Sequence, residues 1–157
     1  MIERRYLRWI CVYLVVILLL WLNAREKEVK LYSSLEDAIE EKEGLVVLVF
    51  FTTDCAVCWD ELFEMRYFID KNELPVHIVG ISRDSKRELR RFLEKHVFYR
   101  PVVYDPKGEL YRKFGVDLEP YMLILSGKKV VYRDDYYEDF FIRRERAKEC
   151  LLKLARK

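Results

Sequence analysis

Cys55-Ala56-Val57-Cys58 sets two thiols three positions apart, a spacing that suits dithiol–disulfide exchange or one half of a metal site. If the second thiol lies one helical turn beyond the first, it can attack a mixed disulfide formed on the first and release the partner. Zinc would need a second pair of ligands, and His77 and His96 lack the mutual spacing to provide one. The dithiol is its own redox group, so neither a metal nor another cofactor is expected.

The flanking elements favour exchange. Leu45 to Phe51 (LVVLVFF) is an uninterrupted apolar run, the pattern of a strand buried on both faces. After the pair, Cys58, Leu62, Met65 and Ile69 fall on one helical stripe. The motif thus lies at a strand-to-helix turn. Cys55 meets the free N–H groups and the positive end of the helix, which stabilise a thiolate, and Cys58 turns inward.

The remaining chain alternates in the same way. Ser33-Ser34-Leu35-Glu36 is a capping-box pattern for a helix carrying Leu35, Ala38 and Ile39 on one face, stopped by Gly44. Pro75 starts a second apolar strand, Val76 to Ile81, and Ser85-Lys86-Arg87-Glu88 caps a helix with Leu89, Phe92, Leu93 and Val97 on its core side. Asp105-Pro106-Lys107-Gly108 is a turn into a short helix ending at Gly115. Tyr121 to Leu125 and Val130 to Tyr132 are strands around Ser126-Gly127, and a last helix starts near Glu138. Its stripe Phe140, Ala147, Cys150, Leu151 and Leu154 packs on the sheet, with a solvated basic face opposite. The expected fold is α/β, a mixed central sheet sandwiched by helices.

Residues 1–23 differ in kind. Trp9 to Leu22 carries no charge and follows Arg4, Arg5 and Arg8, which marks a membrane-directing segment. Its length of about 21 Å falls short of a hydrocarbon core of about 30 Å, so a signal peptide competes with an anchor. Trp9 and Trp21 as interfacial aromatics favour the anchor, as does bulky Leu22 at the third-last position before a cleavage at Ala24. The expectation is a transmembrane helix over residues 1–23, a linker over 24–32 and the folded domain over 33–157, held outside the cytoplasm by a single pass. Apart from Arg4, Arg5, Arg8 and Glu3, the net charge of +2 resolves into 26 basic and 26 acidic side chains, which offers no electrostatic handle for nucleic acid.

From residue 33 to 156 the sequence resembles the thioredoxin superfamily, and most nearly its TlpA-like group of membrane-anchored reductases, including those of cytochrome c maturation. VVLVFFTTDCAVCWDEL is similar to that group's strand, active site and first helical turn; PVHIVGISRDS, PVVYDPKGELYRKFGV and PYMLILSGKKVVY follow in the group's order. The resemblance implies the thioredoxin fold, with Cys55 as nucleophile, Cys58 as resolving thiol and Pro120 as a cis proline facing them. Glu61, three residues after Cys58, matches an acid often found there and is the candidate for proton transfer, or else an ordinary solvated helix residue. Asp54 stands where an aromatic residue is usual, and the proline common between the cysteines is absent. Asp54 and Glu119 border the cysteines and the proline, so both are expected to meet substrate. With Glu61 they form three carboxylates expected to disfavour the Cys55 thiolate.

The function implied is reduction of disulfides in exported proteins, with electrons delivered by an integral membrane donor. Two alternatives stay open. Thr52-Thr53-Asp54-Cys55 contains the T-x-x-C pattern of a peroxiredoxin, although Leu48 stands where that family has proline. The same fold can also serve as a non-catalytic copper-binding or chaperone module.

Overall fold

The computed structural model describes residues 9–10, 12–19, 21, 29–39 and 44–155. The elements are β1 (Leu31–Tyr32), α1 (Leu35–Ala38), β2 (Leu45–Phe50), α2 (Ala56–Lys71), β3 (Val76–Ser82), α3 (Lys86–Lys95), β4 (Val102–Tyr104), α4 (Glu109–Phe114), β5 (Tyr121–Ser126), β6 (Lys129–Arg133) and α5 (Phe140–Ala155). The sheet runs β1-β4-β3-β2-β5-β6. β1, β4, β3 and β2 pair in parallel, while β5 joins β2, and β6 joins β5, antiparallel. The mixed sheet expected from the alternation is present, with β2 at its centre.

β2 shows why the run 45–51 carries no polar residue. Val47 and Val49 point into a core with α2, α3 and α5, holding Cys58, Leu62, Met65, Ile69, Leu89, Leu93, Ala147 and Leu151. Val46, Leu48 and Phe50 point into a second core with α1 and α4, holding Leu35, Ala38, Tyr111, Phe114 and Val116. Period-two alternation thus places apolar side chains on both faces. Phe51 packs so close to Gly80 of β3 that a Cβ there would lie 2.8 Å from its ring.

The helix ends refine the sequence reading. Ser85 and Glu88 form the expected capping box. At α1 the cap is Ser34 rather than Ser33, because the Ser34 hydroxyl accepts from the Asp37 N–H at 3.1 Å. Val97 does not lie on the core side of α3. The helix stops at Lys95, Val97 takes a left-handed conformation (φ 55°) and is 56% exposed, and Phe98 is the buried residue. The Phe98 N–H reaches the Leu93 carbonyl and the Val97 N–H the Glu94 carbonyl, a Schellman closure that turns the side chain after the left-handed residue back to the core. α2 ends the same way through Glu73 and Leu74, and α4 through Gly115 and Val116. Leu31 and Tyr32, expected in the linker, form the edge strand β1.

Residues 9–10, 12–19 and 21 are helical and solvent-exposed. Among the described residues no helix is long and apolar enough to cross a membrane. The expected transmembrane helix falls partly on residues outside those described.

Candidate active site

Cys55 is the N-cap of α2, and its Sγ accepts the Cys58 N–H at 3.2 Å. The first sulfur thus sits on the open donors of a helix start, as the strand-to-helix junction requires. Cys55 and Cys58 are joined as a disulfide. Cys58 is wholly buried and Cys55 partly exposed. The stripe of α2 explains this, since Cys58, Leu62, Met65 and Ile69 all face the sheet.

Three loops meet at this end of the sheet. The Thr53 N–H donates to Asp84 Oδ2 at 2.6 Å, tying the turn before Cys55 to the loop after β3. Pairing of Phe50 with Tyr121 brings the start of β5 beside the end of β2. The Glu119–Pro120 bond just before it is cis, as expected for Pro120. Glu119 is held by Arg83, Nη2 to Oε1 at 2.8 Å, and the Arg83 guanidinium lies 4.2 Å from the centre of the Tyr111 ring. Burial pushes the Tyr111 hydroxyl pKa up. Asp54 is exposed, and its hydrogen-bond contact is with its neighbour Thr53.

Glu61 is not a solvated helix residue. It is buried on the sheet-facing side of α2, and its Oε2 accepts Arg144 Nε at 2.9 Å. Arg144, on α5, is itself buried; its Nη2 reaches Asp60 Oδ2 at 2.5 Å and its guanidinium lies over the Phe140 ring. Burial raises the Glu61 pKa above its ordinary value, and the hydrogen bond and charge of Arg144 oppose that rise. Next to this pair Asp134 accepts from the Met122 N–H and the Tyr132 hydroxyl, each at 2.9 Å, and faces Arg143 at 3.5 Å. Its pKa is also raised by burial.

The three carboxylates expected around Cys55 therefore occupy different settings. Glu119 is neutralised by Arg83, Asp54 stands in water, and Glu61 is paired beneath the surface. Of the three carboxylates expected to disfavour the Cys55 thiolate, two are thus engaged by a cation, Glu119 by Arg83 and Glu61 by Arg144.

Arg144 is an exception to the solvated basic face expected of the last helix, because it shares a stripe with Phe140, Ala147 and Leu151. Glu61 likewise interrupts the stripe of α2. A charge on each of two apolar stripes is the pattern of a buried pair. Trp59, one residue after Cys58, is half-buried against Phe92 and His96, with ring centroids 5.2 and 4.9 Å away. Cys150 is half-buried on α5, and burial raises its pKa. Among the described residues no three of His, Cys, Asp or Glu are grouped to hold a metal ion.

The sequence pattern of the AhpC/TSA family matches residues 23–137. No curated protein matches the chain. Among solved structures, a thiol:disulfide interchange protein DsbE from Chlorobium tepidum is similar at 21% identity, covering 76% of this chain and 83% of that one, with a TM-score of 0.63. StoA from Bacillus subtilis is similar at 22% identity, covering 71% and 84%, with a TM-score of 0.57. Peroxiredoxin Q from Xanthomonas campestris is similar at 22% identity, covering 72% and 80%, with a TM-score of 0.61. At these identities the likenesses establish a common fold.

Proposed function

The chain belongs to the AhpC/TSA family of thioredoxin-like proteins, and from that premise we propose that it reduces disulfides of exported proteins through Cys55 and Cys58. As a thioredoxin-fold oxidoreductase it carries its redox equivalents on this pair. The observation that carries the reading is the asymmetry of the two sulfurs, one partly exposed on the N-terminus of α2 and the other buried one turn on. The Cys55 thiolate attacks the substrate disulfide and one substrate sulfur leaves as a thiolate. Glu61 takes the proton of Cys58, whose thiolate then attacks Cys55 Sγ. The second substrate sulfur leaves, and the Cys55–Cys58 disulfide forms. A dithiol donor in the membrane returns two electrons and two protons. Residues 1–23 hold the domain at the outer face of the cell membrane, where cytochromes c awaiting haem are among the disulfide-bearing substrates. Asp54, Glu119 and Pro120 flank the docking site.

Cys58→Ala tests the reading. It is expected to stall as a mixed disulfide on Cys55 that mass spectrometry identifies, and exported thiol proteins should be captured; absence of any Cys55 adduct in the intact fold refutes it.

A second reading, thiol peroxidase, is favoured by the AhpC/TSA match together with Thr52-Thr53-Asp54-Cys55. Peroxide consumption that survives loss of Cys58 would select it.

A further inference from the structure

Glu61 and Arg144 form an ion pair between α2 and α5 in which both side chains are less than a tenth exposed. Replacing such a pair by packed apolar residues is often neutral or stabilising, so burial of two charges on otherwise apolar stripes points to a role other than stability. Cys58 supplies that role, because it lies three residues before Glu61 on the same buried face of α2, a separation at which side chains are neighbours. We propose that Arg144 is a positioning residue for disulfide exchange, holding Glu61 as a carboxylate beneath Cys58 so that the resolving thiol can lose its proton at neutral pH. The inference rests on the reading of Glu61 as the acceptor of that proton.

The other charges facing Glu61 do not replace Arg144. Arg143, also on α5, is engaged with Asp134, and Asp134 opposes the Glu61 charge. Asp60 shares the Arg144 guanidinium from the solvent side. Among the described residues Arg144 is therefore the cation bonded directly to Glu61, its plane set by two carboxylates and the Phe140 ring. Without it, burial and the charge of Asp134 act on Glu61 against the weaker pull of Arg143, and together they favour the protonated acid. The proton then stays on Cys58, and the second step of exchange slows while the first, made by Cys55, does not. In that step the Cys58 proton moves to Glu61, the Cys58–Cys55 bond forms, the bond from Cys55 to its partner breaks, and the partner leaves with the electron pair as a thiolate.

The test uses the reduced full-length chain carrying Cys11→Ser and Cys150→Ala, with 5,5′-dithiobis(2-nitrobenzoic acid) as the disulfide. The first thionitrobenzoate released reports attack by Cys55, and the second reports resolution by Cys58. In this background the second rate is expected to fall as pH drops through the Glu61 titration. Arg144→Met is expected to move that midpoint up by about one unit, slowing the second release about tenfold below it, and to leave the first release unchanged. Arg144→Lys is expected to restore the midpoint. Superimposed profiles for Arg144→Met and its parent overturn the proposal. Should Arg144→Met not fold, the Glu61→Gln/Arg144→Met variant, which buries no unpaired charge, is compared with Glu61→Gln. Equal profiles support action through Glu61, and a further shift overturns it. If Glu61→Gln keeps the full pH dependence of its parent, the reading of Glu61 as proton acceptor fails, whatever Arg144 does.

Discussion

The rim of the site and the layer beneath it use the same residue types to different effect. At the rim, Arg83 holds Glu119 with its guanidinium nearly half in water, and among the described residues Asp54 has no cation bonded to it. Beneath α2, Glu61, Arg144, Asp134 and Arg143 form a charged layer walled by Phe140, Met122 and Tyr132. Water screens the first group within about 8 Å at physiological salt and screens the second far less. The sequence reading puts Asp54, Glu61 and Glu119 alike near the cysteines. Depth decides which of them can act on a proton.

The largest contrast concerns stability. Asp134→Ala leaves the Met122 N–H and the Arg143 guanidinium without their acceptor and is expected to cost about 3–5 kcal/mol in urea unfolding. Arg83→Met, which breaks the rim pair, is expected to cost under about 1 kcal/mol. Similar losses for both would erase the distinction between rim and layer.

A second prediction uses pH. An acid whose folded pKa is raised keeps its proton where the unfolded chain has lost it, so its contribution is present below the ordinary value and disappears as pH rises through the folded one. For Glu61 that window opens at about pH 4.5 and extends upward. The wild type should lose stability relative to Glu61→Gln as pH climbs from 4 to 7, read from paired denaturant curves. Parallel curves would place Glu61 in effect at the rim.

The smallest effect is expected at Cys55. The double change Asp54→Asn and Glu119→Gln should move the pH midpoint of Cys55 alkylation by less than about half a unit, because one carboxylate is solvated and the other already paired. Limiting iodoacetamide on the reduced protein should label Cys55 before Cys58. A larger shift, or reversed labelling, would bring the rim back into the chemistry.

The alternation of strands and helices, the burial of Cys58 and the burial of β2 on both faces were legible because each depends on periodicity within a dozen residues. The cis bond at Pro120 was legible through resemblance. What escaped depends on distance along the chain or on how helices end. Glu61 and Arg144 stand 83 residues apart and Arg83 and Glu119 36 apart, so their pairing follows from tertiary packing rather than local pattern. Val97 continues the apolar spacing of α3, yet the Schellman closure ends the helix at Lys95 and gives the core position to Phe98. Leu31 and Tyr32 are too short a run to signal a strand unless β4 is already there to pair with.

β1 also governs how this domain meets copies of itself. A sheet margin with unpaired backbone groups invites strand addition from another chain, and proteins blunt such margins with short or charged strands. One margin here is β6, with exposed Lys129 and Arg133; the other is the two-residue β1, whose pairing covers Val102 and Val103 of β4. A fragment starting at Val29 keeps both margins blunt, whereas one starting at Ser33 uncovers the apolar edge of β4 and turns a self-limiting sheet into a template for aggregation.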